Sequence, residues 1–355
     1  MLEFYKNKKI FITGHTGFKG SWLSKVLINL GANVTGYSLE TNKKFSIFSV
    51  LRLEEEMNSI IGDIRDLESL KKAMLKCNPD IVIHMAAQPL VLESYENPVY
   101  TYETNVIGTV NVLECIRKCE NVKSVLNVTT DKVYKNKEWE WGYREYEELD
   151  GYDPYSNSKS CSELITNSYR RSFFSDRNIA ISSVRSGNVI GGGDISPNRI
   201  IPDCIRSIQT KKEMIIRNPH SVRPYQHVLD AIVAYLLIIK KQYINKELQG
   251  AYNVGPNENN CISTEDLVKL FFNCWDEKIT CNSNGVKGKH EANFLKLDCE
   301  KIKKYIEWNP IWSIEDSIKK TVEWTKVLFD NERDIVVETN KQINCYFDSM
   351  KYNSL

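Results

Sequence analysis

The chain has 355 residues, with 47 Lys and Arg against 46 Asp and Glu, and hydrophobic residues make up 42% of it. At roughly 100–200 residues per domain this is one large domain or two with ample core, and the balanced composition excludes collagen-like, low-complexity and disordered chains. A net charge of +1 supplies no bulk field to hold nucleic acid or an anionic membrane, so any bound anion must be held by a local cluster of cations.

Short β-branched runs alternate with amphipathic ones through the first half. Lys9 to Thr13, Asn33 to Tyr37, Ser59 to Ile61, Asp80 to His84, Val122 to Val128 and Ile179 to Arg185 read as strands. Lys19 to Leu30, Leu67 to Cys77, Asn97 to Cys119 and Ser156 to Phe174 carry apolar residues at helical spacing. The alternation predicts an α/β fold, a doubly wound parallel sheet covered by helices on both faces. Beyond Arg185 the pattern loosens into a stretch rich in Gly, Asn, Asp and Pro from Gly187 to Asn198. The expected division is a dinucleotide-binding unit over 1–186 and a smaller, mixed α/β substrate lobe over 187–355. A helix at Gln226 to Lys240 and a strand at Ala251 to Val254 are expected to return to the main sheet. Glu315 to Trp324 reads as a closing amphipathic helix, and the segment from Asp330 to Leu355 carries no clear assignment.

The longest apolar run, Ala231 to Ile239, falls far short of the roughly 18 residues of a membrane helix. The opening Met1-Leu2-Glu3-Phe4-Tyr5-Lys6 lacks the features of a secretory signal, so a cytoplasmic location is expected. The ten cysteines are scattered without a CxxC pair and read as free thiols, with Cys115 and Cys119 as core packing. His15, His84, His220, His227 and His290 show no metal-ligand spacing, and no metal is predicted.

The first strand runs into Gly14-His15-Thr16-Gly17-Phe18-Lys19-Gly20 and then a helix. A glycine turn between strand and helix lets backbone N–H groups approach a diphosphate, with the helix dipole behind them. This is a dinucleotide loop, spaced GxxGxxG and not GxGxxG. At the end of the second strand Ser38 occupies the place where an NAD-binding acid is expected, which leaves NAD and NADP open. The absence of an Arg there favours NAD, with Lys43 and Lys44 several residues on. After the third strand, Asp63 can accept hydrogen bonds from adenine, while Asp66 suits a helix N-cap.

Tyr155 and Lys159 stand at i and i+4 on a helix starting after Pro154, hence on one face. A phenol becomes a base near neutral pH only when its anion is stabilised, and an adjacent ammonium does so. Thr129-Thr130-Asp131-Lys132 ends the fifth strand, where a hydroxyl can bond a substrate alcohol while the phenolate takes its proton and a nicotinamide takes the hydride. The glycine turn, Asp63, Ala86-Ala87-Gln88, Thr130 and Tyr155 all fall at one edge of the predicted sheet, where doubly wound folds bind ligands.

Together these residues resemble the extended short-chain dehydrogenase/reductase family, the NAD-dependent epimerases and dehydratases on a Rossmann sheet, from Lys9 to about Trp324. Further tracts resemble the family's branch of 4,6-dehydratases that take CDP-glucose. They are Gly14 to Trp22, Ala86 to Val91, Thr130 to Lys132, Trp141 to Glu145, Arg185 to Asp194 and Arg217 to Pro224. The resemblance implies a tightly bound NAD, regenerated each turnover. Its site would be Gly14, Thr16, Gly17, Phe18, Lys19, Gly20, Ser38, Asp63 and Ile64, then Ala86, Ala87, Gln88, Asn105, Thr129, Tyr155, Lys159 and Arg185. It implies a nucleotide-sugar substrate held by Gln88, Asn188, Arg199, Ile201, Pro202, Arg217, Arg223 and Asn253, the arginines gripping a diphosphate. Catalysis would fall to Thr130, Asp131, Lys132, Tyr155 and Lys159: oxidation at C4, elimination of water across C5 and C6, and return of hydride to C6. Asp131 suits the acid at the C6 hydroxyl. Lys132 replaces the glutamate that resembles a C5 base in related dehydratases, so it is either that base or the electrostatic partner of Asp131. The resemblance also implies a homodimer or homotetramer paired through the helices at Asn97 to Cys119 and Ser156 to Phe174. A 4-epimerase on the same fold, or a non-catalytic dinucleotide sensor, is the competing reading. An epimerase has no use for an acid beside the hydroxyl residue, and a sensor has none for Tyr155 and Lys159.

Overall fold

The computed structural model describes residues 2–41, 45–257, 260–277, 279–282, 294–330 and 332–352; Lys43, Lys44 and His290 lie outside them. Its strands in chain order are β1 (Lys9–Thr13), β2 (Asn33–Ser38), β3 (Asn58–Ile61), β4 (Ile81–His84), β5 (Ser124–Val128), β6 (Ala180–Ser186), β7 (Asn188–Ile190), β8 (Met214–Ile215), β9 (Val222–His227), β10 (Ala251–Val254), β11 (Cys261–Ser263) and β12 (Cys281–Asn282). Seven of them form one sheet in the order β10-β6-β5-β4-β1-β2-β3, every pair parallel. The order reverses between β1 and β4, the switch point at which such sheets open a crevice beyond their carboxyl ends.

Both faces of this sheet are covered, which is why β4, β5 and β6 are buried at every position and read as continuous apolar runs. Alternate residues feed two cores. Ile10, Ile12, Ile81, Ile83 and Leu126 pack with Trp22, Leu23 and the apolar helix Val228–Ile244 on one side. Phe11, Val82, Val125 and Ile181 pack with Leu70, Met74, Val112 and Ile116 on the other. Sequence cues mark these helices well. Asp66 caps Leu67–Cys77 by accepting from Ser69 N at 3.1 Å, and Asp153 caps Pro154–Phe173 by accepting from Ser156 N at 3.0 Å, with Pro154 in the first turn.

Most expected boundaries shift by a few residues, and two elements differ in a way that bears on the site. The helix expected over Asn97 to Cys119 contains a π-helical turn, Glu103–Ile107, between Pro98–Tyr102 and Gly108–Arg117; a single i→i+5 turn is a local change of hydrogen-bonding register that residue composition does not mark. The helix expected from Gln226 begins at Val228, because Gln226 and His227 end β9 and His227 Nδ1 caps the helix by accepting from Leu229 N at 3.2 Å. That helix returns to the main sheet through Gln242, whose side-chain amide donates to Ser124 Oγ at 2.8 Å and Val125 O at 2.9 Å.

A third core, including Ile201, Cys204, Leu267, Phe271, Trp275 and Ile318, lies among the helices Ile200–Thr210, Thr264–Trp275 and Ile314–Phe329 beside a small sheet ordered β11-β9-β7. The last segment forms a helix, Ile335–Tyr352. Thr339 accepts from Trp324 Nε1 at 2.8 Å, and Tyr346 donates to Asp230 Oδ1 at 2.6 Å. Asp230 is fully buried and also accepts from Ile311 N at 2.8 Å. Burial pushes its pKa up to about 7, against the lowering effect of these hydrogen bonds. A carboxyl whose folded pKa lies above its unfolded value of about 3.9 takes up a proton on folding between the two, so its contribution falls as pH rises through that window. Thermal denaturation should therefore show wild type losing stability relative to Asp230→Asn between about pH 4 and about pH 7; a difference that stays constant across this range would contradict the assignment.

Candidate active site

Strand β1 ends at Thr13, and the first helix runs Phe18–Asn29 with Gly17 as N-cap and no side-chain cap. The helix thus starts ahead of Ser21, with Gly20 in its first turn. Gly14 has φ +80°, and a Cβ there would stand 2.7 Å from Ala86 N. A Cβ on Gly20 would stand 2.1 Å from Gly14 O. Only glycines allow this close turn, and the first backbone N–H groups of the helix remain available to an anion.

Around the loop, Thr16 Oγ1 and Ser38 Oγ lie 2.8 Å apart, so the expected ribose position is tied to the glycine loop. Asp63 accepts from Arg65 N at 2.9 Å, Nε at 2.9 Å and Nη2 at 2.6 Å. Burial alone would raise its pKa, but the Arg65 contacts hold it below the usual carboxylate range. Ile64 is buried beneath Gly108 in the second core. Thr13 Oγ1 accepts from Met85 N at 3.1 Å and Ala86 N at 3.2 Å, which fixes the turn through Ala86 and Ala87.

Four of the expected site residues have hydrogen-bond partners within the protein. Gln88 donates its amide to Leu90 O at 3.1 Å and Thr101 Oγ1 at 2.9 Å, and accepts from Leu90 N at 2.6 Å. Asn105, in the π turn, accepts from Gln88 N at 2.8 Å and donates to Gln88 O at 3.1 Å and Ser158 Oγ at 2.9 Å. Asn253 lies fully buried on β10, donating to Tyr143 O at 2.7 Å and Asp298 O at 2.9 Å. Arg185 forms a buried ion pair with Glu163 at 3.1 Å and donates to Tyr134 OH and Glu145 O, each at 2.8 Å. These four side chains are turned into the protein because each has a hydrogen-bonding partner on a neighbouring element, which sequence spacing cannot display.

The catalytic candidates do converge. Thr130, Asp131, Lys132 and Tyr155 line a cleft of about 450 Å³ together with Thr129, Phe18 and Lys19, while Lys159 is buried outside that lining. Burial pushes the Tyr155 phenol pKa up to about 12, against the lowering influence of Thr130 and Arg199. Lys159 Nζ donates to Val128 O at 3.2 Å. Burial first, and Lys19 second, lower its pKa to about 7, while Glu163 opposes them. Thr130 donates to Asp131 Oδ1 at 3.0 Å, and Lys132 Nζ is 3.9 Å from the same oxygen. Asp131 Oδ2 is buried without a hydrogen-bond partner.

The same cleft is lined by Asn188, Arg199, Ile201, Pro202, Arg217 and Arg223, all expected from sequence. Arg199 pairs with Asp194 at 2.9 Å and Arg217 donates to Asn198 O at 3.0 Å. Lys19 faces the reacting groups as well as the dinucleotide loop: burial, then Arg199, lower its pKa to about 8 against the pull of Asp131 and Asp194. Sequence reading missed Asp194 and Glu163. Glu163 had a signal, since it continues the i, i+4 stripe of Tyr155 and Lys159; Asp194 had none beyond its glycine-rich tract.

The histidines have structural partners. His84 Nδ1 lies 2.7 Å from Thr13 Oγ1, and His15 Nε2 lies 2.7 Å from Ser59 Oγ. Burial lowers their pKa values to about 3 and about 4, so both are neutral near pH 7. His220 is exposed. Among the described residues no cluster has the makings of a metal site, and no helix is long and apolar enough to cross a membrane.

A Rossmann sheet with a glycine turn, a Thr130–Tyr155–Lys159 group and a cleft that carries Arg199, Arg217 and Arg223 defines a dinucleotide-dependent enzyme class. The family profile described as GDP-mannose 4,6 dehydratase matches residues 11–321, and the chain belongs to that family. It is 43% identical over 353 residues to CDP-glucose 4,6-dehydratase of Salmonella typhimurium, covering 98% of both chains. Among solved structures, UDP-glucose 4-epimerase of Thermotoga maritima aligns with a TM-score of 0.78 at 24% identity, covering 90% of this chain and 99% of that one. An NAD complex of dTDP-glucose 4,6-dehydratase from Bacillus anthracis aligns with a TM-score of 0.75 at 21% identity, covering 91% and 97%.

Asn105→Ala would leave Gln88 N–H and C=O unpaired in the interior. Urea denaturation should show a loss of about 2–3 kcal/mol; unchanged stability would mean that Asn105 serves a ligand and not the fold.

Proposed function

We propose that this chain is an NAD-dependent 4,6-dehydratase acting on CDP-glucose, yielding CDP-4-dehydro-6-deoxyglucose and water. The observation that carries this reading is the unpartnered, buried Asp131 Oδ2 beside Thr130 in the Tyr155 cleft. A 4-epimerase has no leaving group to protonate, and a sensor has no use for such a group. Full-length identity of 43% to a CDP-glucose 4,6-dehydratase supports the same assignment.

The residues fit NAD through the cradle that a Cβ on Gly14 or Gly20 would fill. When bound, the nicotinamide supplies a hydride acceptor that is restored by the end of the cycle. Tyr155 takes the proton of the sugar O4 hydroxyl, with Thr130 orienting that hydroxyl and the Lys159 ammonium stabilising the phenolate. The C4 ketone then acidifies the C5 proton. Asp131 serves as the acid for the departing C6 hydroxyl, so that water leaves as the C5–H and C6–O bonds break. Lys132 removes the C5 proton or orients Asp131 electrostatically; their 3.9 Å separation suits both. Hydride at C6 and a proton at C5 complete the product without net oxidation. Arg199, Arg217 and Arg223 bind the diphosphate, and Asn188, Ile201 and Pro202 shape the nucleotide pocket.

We read residues 1–186, with 226–254 returning, as the cofactor unit and the remainder as the sugar-nucleotide lobe. Exposed Val99, Ile107 and Leu164 suit pairing of two copies through the long helices. Ten free cysteines suit a cytoplasmic setting.

Incubation with CDP-glucose and catalytic NAD should generate the alkali-induced ultraviolet absorbance of a 4-keto-6-deoxysugar. Turnover of dTDP- or UDP-glucose without CDP-glucose would overturn the substrate. In Asp131→Asn a single turnover should accumulate reduced nicotinamide while product formation falls about 100-fold; loss of oxidation itself would overturn the role given to Asp131.

A further inference from the structure

Val128, the last residue of β5, and Thr129 after it are each held by one residue of the helix Pro154–Phe173, and Thr130 shares the cleft with a third, Tyr155. Lys159 Nζ donates to Val128 O at 3.2 Å, and Glu163 Oε1 accepts from Thr129 Oγ1 at 2.6 Å. The helix residues are at i, i+4 and i+8, a single stripe. Glu163 is buried and its carboxylate is saturated: Oε1 also accepts from Arg185 Nε at 3.1 Å, and Oε2 accepts from Arg185 Nη2 at 3.1 Å and Ser183 Oγ at 2.5 Å. Burial would raise the Glu163 pKa, but the Arg185 charge and these bonds hold it below the usual range, so it stays ionised.

We propose that Glu163 is a positioning residue for the oxidation step: anchored by Arg185, it sets the Tyr155 and Lys159 helix in register with Thr130 and helps hold Lys159 in its charged form. This rests on Tyr155 and Lys159 acting as base and ammonium. The groups facing Lys159 are Lys19 from the first helix, neutral His84 from β4, and Tyr155 and Glu163 from its own helix, with Arg185 of β6 behind Glu163. Among these, Glu163 is the carboxylate acting on Lys159, so its loss removes the charge that opposes burial and Lys19. The role also gives Arg185 a function at the site, as the anchor of Glu163.

The test is single-turnover reduction of NAD by CDP-glucose across about pH 6 to about pH 9, on purified full-length variants of matched secondary structure. Glu163→Gln should slow oxidation about tenfold with KM within about twofold, and move the alkaline limb, where Lys159 loses its proton, down by about one pH unit. Glu163→Asp keeps the charge and shortens the reach to Thr129, so it should slow oxidation while leaving the limb in place. A wild-type rate and limb in Glu163→Gln, or equal limb shifts in both variants, would overturn the proposal. Should Glu163→Gln fail to fold, Thr129→Val removes the hydroxyl and leaves the ion pair; it should slow oxidation with the limb unmoved, and an unchanged rate would overturn the register role. Tyr155→Phe separates the layers. Normal Glu163→Gln beside an inactive Tyr155→Phe overturns the role of Glu163 alone, whereas normal oxidation by Tyr155→Phe overturns the base assignment and the proposal with it.

Discussion

The contact on which the site depends is the seam between the end of β5 and the helix that follows it in space. Strand residues advance by about 3.3 Å and helix residues four apart by about 6 Å, so only a fixed crossing lets one helix stripe address Val128, Thr129 and Thr130 together. Asp153 and Pro154 set where that helix starts, and Glu163 with Arg185 fixes it two turns further on. A buried pair of this kind is weak evidence for net stability, because desolvating two charges offsets most of their attraction. Its worth here is geometric.

Around that seam the charges are sparse and local, as a chain with net charge +1 requires. Lys19, Lys132, Arg199, Arg217 and Arg223 line the cleft with Asp131 and Asp194 among them. Burial weakens the charged forms of two lysines near the reacting groups: Lys159 falls to about 7 and Lys19 to about 8. These two ammonium groups stand close to their titration points, where a neighbouring carboxylate or ligand charge decides their state.

Much of this was legible in advance because it rests on local chemistry. β1, the helix Leu67–Cys77 and β10 fall where composition and periodicity put them, and the glycine turn and Tyr155–Lys159 spacing each imply a geometry the backbone must adopt. The cleft wall of Asn188, Arg199, Ile201, Pro202, Arg217 and Arg223 came from family resemblance, with no spacing rule behind it. Gln88, Asn105, Arg185 and Asn253 mark the limit. Each stands near the ligand edge of the sheet, but a polar side chain there can face the crevice or a neighbouring element, and only tertiary contacts decide. The π turn at Glu103–Ile107 was hidden for a related reason: it changes the aim of Asn105 without changing which residues are apolar. The final helix was unassigned because its anchors, Thr339 to Trp324 and Tyr346 to Asp230, span long stretches of chain.

What separates dehydration from epimerisation on this scaffold is the fate of one hydrogen. If Tyr155, Thr130 and Asp131 act as assigned, the hydrogen removed from C4 is delivered to C6 of the same sugar once water has left, and a solvent hydrogen enters at C5. Turnover of CDP-glucose deuterated at C4, with the product analysed by NMR and mass spectrometry, measures this directly. The account predicts deuterium in the C6 methyl group and solvent hydrogen at C5. Deuterium retained at C4 in a sugar that still carries its C6 hydroxyl would contradict it.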